Sequence, residues 1–211
     1  MKGYIFDLDG TLLDSQWVWK SSTVEIFEEL ELPDVDTLYL EMRSFSLEEA
    51  NDFIIERFQL PYTRDEMIER VSVKVKEKYD HLVKAKAGVL EKLKEFHEAG
   101  IKMTIATASE KEFILGCLNR LGITELMDHI ITTSEYNTNK KEEAVIYDIA
   151  CKLMQLDKQE VVVFEDALHA IETLKKNGYC VYAIEDDDEL DHRQQILQLA
   201  DRYISDWNEF C

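Results

Sequence analysis

Two short acidic runs, far apart in the chain, each follow an apolar segment. Tyr4-Ile5-Phe6 leads into Asp7-Leu8-Asp9-Gly10-Thr11, and Val161-Val162-Val163-Phe164 leads into Glu165-Asp166. Residues two apart on an extended segment point to the same side, so Asp7 and Asp9 share a face, and Gly10 lets the backbone turn sharply after them. Carboxylates held that close repel, and a hard divalent cation with oxygen ligands is the usual compensation. Mg²⁺ is the expected ion. A lone Asp-x-Asp is also a common turn or helix-cap sequence, but two apolar strands have no reason of stability to end twice in acids. Between the acidic runs come Ile105-Ala106-Thr107-Ala108-Ser109, a strand end with a hydroxyl and backbone amides, leading into a helix that Ser109 and Glu112 are expected to cap. Lys140-Lys141 follows. Standing alone, Thr107 would be a plain strand-end residue and the lysines a solvated helix start; in this order they suit the oxygens of a phosphoryl group.

These groups need a scaffold that brings strand ends together. Strand-length apolar runs at 4–8, 103–106, 130–132, 161–164 and 180–184 have the continuous pattern of parallel strands buried on both faces. Helical stripes lie between them: Leu90, Leu93 and Phe96 before Gly100; Phe113, Cys117, Leu118 and Leu121 before Gly122; Ile171 and Leu174 before Gly178. The alternation predicts an α/β fold built on a doubly wound, Rossmann-like parallel sheet. From 15 to 86 the pattern is helical only, with capping-box sequences at Ser46-Leu47-Glu48-Glu49 and Thr63-Arg64-Asp65-Glu66. The expected organisation is a core domain of 1–14 and 87–211 with a helical cap domain of 15–86. The insert leaves the sheet at the carboxyl end of the first strand, the edge where such sheets place ligands, so it is expected to cover the site.

The bulk numbers exclude several other roles. A formal net charge of −20 repels polyphosphate, which argues against nucleic acid and anionic membrane as partners. The longest apolar stretches are strand-length, and no basic segment precedes an apolar one at the start, so neither a membrane span nor a signal peptide is expected and the location is cytoplasmic. Cys117, Cys151, Cys180 and Cys211 are widely spaced, as are the five histidines, which gives neither a zinc site nor a redox pair. The run Glu185-Asp186-Asp187-Asp188-Glu189 lacks the glycine and distal glutamate of a calcium-binding loop and is expected to be a solvated loop at the sheet edge.

Phe6-Asp7-Leu8-Asp9-Gly10-Thr11-Leu12-Leu13-Asp14-Ser15, Thr107-Ala108-Ser109 and Phe164-Glu165-Asp166 resemble the first, second and fourth motifs of the haloacid dehalogenase superfamily. Within it, essentially the whole chain resembles the small phosphatases and β-phosphoglucomutase-like enzymes that carry a helical cap after the first strand. The third motif is a lysine followed by a proline-containing stretch; here Glu142-Glu143-Ala144-Val145-Ile146-Tyr147 has no proline. An aromatic residue six positions on (Tyr147) and the aspartate twenty-five positions on (Asp166) select Lys141, with Lys140 as the alternative. The resemblance implies that Asp7 is the nucleophile of an aspartyl-phosphate mechanism and Asp9 the general acid and base. The Asp9 carbonyl would join the Asp7 and Asp166 carboxylates around Mg²⁺, with Glu165 supporting them. Thr107, Ala108, Ser109 and Lys141 would bind the phosphoryl group.

The implied activity is hydrolysis of a small-molecule phosphate ester by a chain that suffices as a monomer. Dehalogenases and phosphonate-cleaving relatives lack the second acid, so Asp9 argues against both. A sugar phosphomutase is the nearer alternative. Such mutases hold a second phosphate with a histidine where this chain has Trp19 and an arginine near Leu47, and neither replacement can bind phosphate by charge. Trp17, Trp19, Arg43 and Phe45 are candidates for the substrate side of the cap, although aromatic residues at helical spacing are more often core. A non-catalytic binding module is the alternative of a different class, and it would have no need of paired, repelling carboxylates.

Overall fold

A computed structural model describes residues 1–42, 45, 47–139 and 143–210. The chain divides into two compact units, one of Met1–Ser15 with Val83–Cys211 and the other of Gln16–Leu82. In chain order the first unit begins with β1 (Gly3–Phe6) and the short β2 (Leu13–Asp14). The second unit is helical: α1 (Trp17–Glu29), α2 (Val35–Glu41), α3 (Leu47–Phe58) and α4 (Arg64–His81). The chain then returns through β3 (Lys84–Ala85), α5 (Val89–Glu98), β4 (Lys102–Thr107), α6 (Lys111–Leu121), β5 (His129–Thr132) and α7 (Val145–Met154). It ends with β6 (Val161–Glu165), α8 (Leu168–Lys176), β7 (Cys180–Ile184), α9 (Arg193–Leu199) and β8 (Arg202–Ile204).

The main sheet has the order β5-β4-β1-β6-β7-β8, and every pairing in it is parallel. Its central strands are apolar without alternation because helices cover both faces: Ile5, Phe6, Met103, Ile105, Ala106, Val161, Val162 and Val163 are fully buried. From β1 the chain moves out to β4 and β5, then crosses back to β6 on the other side of β1. The strand order therefore reverses between β1 and β6, the place where a doubly wound sheet opens a crevice at its carboxyl edge. Phe6 is in register with both Ile105 and Phe164, so β4 runs two residues and β6 one residue past the end of β1 at the same edge of the sheet. The edge strand β8 was not evident in the sequence: Arg202-Tyr203-Ile204 is three residues long and only Ile204 is buried.

Two features differ from the sequence-based expectation. The acidic run is not a solvated loop throughout. Asp186 pairs with Lys86 Nζ at 2.7 Å and accepts the Asp188 amide at 3.1 Å, while Glu185 accepts from the Tyr203 hydroxyl at 2.9 Å and lies 3.0 Å from Arg193. Residues Asp187–His192 continue as a 3₁₀ segment. The second feature is a two-residue antiparallel ribbon, Leu13 opposite Ala85 and Asp14 opposite Lys84, which draws the return of the chain into the first unit from Val83 onward.

Gly88 sits just before α5 with φ +81°, and a Cβ built there would lie 2.8 Å from the Asn208 backbone nitrogen. Left-handed backbone and backbone contact both oppose a side chain. Gly88→Ala should lower the unfolding free energy by about 1–3 kcal/mol, measured by urea titration.

In the helical unit, Ile26, Leu38, Ile54, Met67, Val71, Val75 and Tyr79 are buried. The expected capping box at Thr63 is formed: its hydroxyl accepts the Glu66 amide at 3.3 Å and the Glu66 carboxylate accepts the Thr63 amide at 2.7 Å. Ser46, at the other expected box, and Arg43 lie outside the described residues, and the Leu47 side chain is likewise not described. Trp17 and Phe45 are 38% and 40% exposed and Trp19 is half-buried, so none of the three is a core aromatic. Phe45 meets Phe53 edge-on with ring centroids 5.6 Å apart. The one buried cation of α4, Lys78, donates to Ser21 Oγ at 2.8 Å and pairs with Glu25 at 2.8 Å.

Candidate active site

The crevice at the strand-order reversal is where the acids meet. Asp7 follows β1 and is tied to β6 by its amide, which donates to the Phe164 carbonyl at 2.9 Å. Glu165 ends β6 and Asp166 follows it. All three are buried, and one carboxylate oxygen from each lies within 4.8 Å of the others. Gly10, with φ +86°, turns the chain after β1 so that Thr11 folds back, and the Thr11 hydroxyl donates to Asp166 Oδ1 at 2.8 Å. Trp207 Nε1 in turn donates to the Thr11 carbonyl at 3.2 Å, fixing that turn from below. Glu165 is held at both oxygens: the Tyr147 hydroxyl donates to Oε1 at 3.1 Å and the Ala167 amide to Oε2 at 2.9 Å.

Asp9 is half-buried between two serines. Ser15 Oγ donates to its Oδ1 and Ser109 Oγ to its Oδ2, both at 2.6 Å. Thr107, buried at the end of β4, accepts the Ser109 amide on its hydroxyl at 3.0 Å, so Ser109 is positioned by Thr107 and reaches Asp9. Ala108 between them is exposed.

Burial, followed by the charges of Glu165 and Asp7, holds the Asp166 carboxyl well above the usual carboxylate range despite the Thr11 hydrogen bond. Burial likewise pushes the Tyr147 phenol well above its ordinary value, with Glu165, Asp7 and Asp166 adding to the effect, so it remains an O–H donor. Three buried, mutually repelling carboxylates with oxygen donors only are a donor set suited to a hard divalent cation such as Mg²⁺. Their cost without one is the desolvation and repulsion that raise Asp166.

The sequence-named residues thus fall into two neighbouring groups, Asp7 with Glu165 and Asp166, and Asp9 with Thr107 and Ser109. Lys140 and Lys141 lie outside the described residues. Ser109 does not cap α6 as expected. Glu110 occupies the N-cap position without a side-chain cap, because the Ser109 hydroxyl is taken by Asp9. Three supporting residues were not singled out from the sequence. Thr11 and Ser15 lay within the first motif without a role, and Tyr147 served only to choose between the lysines. Hydroxyls inside an otherwise apolar or acidic motif were the available signal.

Comparison with known proteins agrees with this geometry. Residues 4–184 match the profile of the haloacid dehalogenase-like hydrolases. The chain is 25% identical to a phosphorylated carbohydrates phosphatase of Thermotoga maritima over 84% of its length and 82% of the relative's. It is 24% identical to a validoxylamine A 7'-phosphate phosphatase of Streptomyces hygroscopicus subsp. limoneus, over 97% and 93%. Among solved structures, a candidate β-phosphoglucomutase from Thermotoga maritima superposes with a TM-score of 0.85 at 22% identity, covering 99% of this chain and 96% of that one. No helix among the described residues is long and apolar enough to cross a membrane. The chain belongs to the haloacid dehalogenase-like hydrolase family.

Proposed function

We propose that the chain is a Mg²⁺-dependent phosphatase that hydrolyses a small phosphorylated metabolite through an aspartyl-phosphate, an acyl phosphate of Asp7. The observation that carries this reading is the buried cluster of Asp7, Glu165 and Asp166 beside an Asp9 oriented by two serine hydroxyls. The Asp7 carboxylate attacks phosphorus, and Asp9 gives its proton to the leaving alcohol oxygen, splitting one hard displacement into two easier ones. In the second half Asp9 takes a proton from water, which attacks the phosphorus of the acyl phosphate and breaks its bond to the Asp7 oxygen, freeing phosphate and the Asp7 carboxylate. Ser15 and Ser109 keep the Asp9 carboxylate from rotating away between the two halves.

Thr107, the backbone from Ala108 to Ser109 and Lys141 hold the phosphoryl oxygens, where charge concentrates as transfer proceeds. Asp7, Asp166, Glu165 and the Asp9 carbonyl would hold Mg²⁺, which when bound supplies charge neutralisation for nucleophile and phosphoryl group. The two relatives' names are those of phosphatases, one of phosphorylated carbohydrates, which supports a small sugar or polyol phosphate as the substrate class. All the proposed catalytic residues come from one chain, so a cytoplasmic monomer suffices.

The competing reading is a sugar phosphomutase. Trp19 stands where those enzymes place a histidine for a second phosphate, and their arginine falls near Leu47, which favours the phosphatase. The test is steady-state turnover of a panel of sugar phosphates and an aryl phosphate with and without Mg²⁺. Metal-dependent phosphate release from a sugar phosphate is expected. Conversion of a hexose 1-phosphate to its 6-phosphate without release would replace the phosphatase by the mutase, and no turnover of any ester would leave a binding module.

A further inference from the structure

Tyr147 is fully buried in the first turn of α7, and a buried phenol hydroxyl must find a partner. Its partner is Oε1 of Glu165, eighteen residues away at the end of β6. The Ala167 amide takes Oε2, so the two donors, one from a neighbouring helix and one from the following turn, fix the plane of the Glu165 carboxylate. Carboxylates that face a cation bind it well only when their orientation is set in advance, and outer hydrogen bonds supply that orientation. We infer that Tyr147 is a positioning residue that sets the metal affinity of the acidic cluster by holding Glu165, an assignment that rests on the Mg²⁺ reading of Asp7, Glu165 and Asp166. The ring of Tyr147 also packs 6.2 Å from that of Tyr179, a contact that phenylalanine would preserve. The hydroxyl alone therefore carries the proposed role.

The hydroxyl of Tyr179 provides an internal comparison. It is a second phenol in the same buried cluster, but it donates to Asp148 rather than to Asp7, Glu165 or Asp166. Calorimetric titration with Mg²⁺ alone, in the absence of substrate, reads affinity directly. Tyr147→Phe should weaken Mg²⁺ binding by about 10- to 100-fold, the range typical when an outer partner of a metal ligand is lost. Turnover of Tyr147→Phe should return to within a few-fold of the wild-type kcat as Mg²⁺ is raised. Tyr179→Phe should bind Mg²⁺ like the wild type, and Tyr147→Phe should add no further loss in a Glu165→Ala background.

Mg²⁺ affinity unchanged in Tyr147→Phe would overturn the inference. So would a loss that persists undiminished in the Glu165→Ala background, since the hydroxyl would then not act through Glu165. A wild-type protein that binds no Mg²⁺ at all is a different result: it removes the metal reading itself, and the Tyr147 assignment with it.

Discussion

Asp7→Asn should abolish phosphate release, by on the order of 10⁴-fold or more, while leaving the protein folded. An amide is a poor nucleophile, and no second carboxylate can replace Asp7 without moving: Glu165 is pinned at both oxygens and Asp166 is tied to Thr11. The same substitution removes one of three buried carboxyl groups whose crowding disfavours ionisation. Without Mg²⁺ the variant should therefore unfold at the same temperature as the wild type or a higher one. Phosphate release and thermal unfolding recorded on one preparation check both halves. Turnover within about tenfold of wild type would remove Asp7 from the role of nucleophile.

Asp9→Asn should cost about 10²- to 10⁴-fold in kcat/KM on a sugar phosphate, the usual contribution of a positioned acid and base. The loss on an aryl phosphate should be smaller, because an aryl oxygen leaves without needing a full proton. This leaving-group dependence separates an acid from a residue that merely shapes the site. Asparagine also replaces one acceptor oxygen with an NH₂ group, so either Ser15 or Ser109 loses its present bond. Side-by-side kinetics on the two esters decide the matter: equal losses would mean that Asp9 orients groups without delivering a proton.

The scaffold was largely legible from the sequence because its signals are local. Continuous apolar runs marked five strands, and glycines marked the ends of α5, α6 and α8. The edge strand β8 escaped because Arg202-Tyr203-Ile204 is short and only half-buried at two of its three residues, and so has no buried-strand pattern. The acids were legible as strand-end runs, and the reversal of strand order that makes Asp7 and Asp166 neighbours followed from the expected winding. What the sequence could not convey is which hydroxyl reaches which carboxylate. Ser109 is placed by spacing to cap a helix, yet its bond crosses one hundred positions to Asp9, and Thr11 reaches Asp166 across 155. Capping rules see three or four residues ahead, and such bonds depend on sheet register. The same blindness hid Lys86 as the partner of Asp186, which turned an expected solvated loop into an anchored turn.

The two-residue ribbon of Leu13–Asp14 with Lys84–Ala85 bears on how this chain could have changed over time. It clamps the points of departure and return of the helical segment side by side, at about the 4.8 Å spacing of paired strands. Any segment whose ends meet at that spacing can be spliced between them without disturbing β1 or α5. Lengthening such a closed excursion is inexpensive, each doubling adding only about 0.6 kcal/mol of closure entropy. The ribbon is thus a splice junction, across which the helical unit can be exchanged or lengthened while the sheet that carries the acidic cluster stays unchanged.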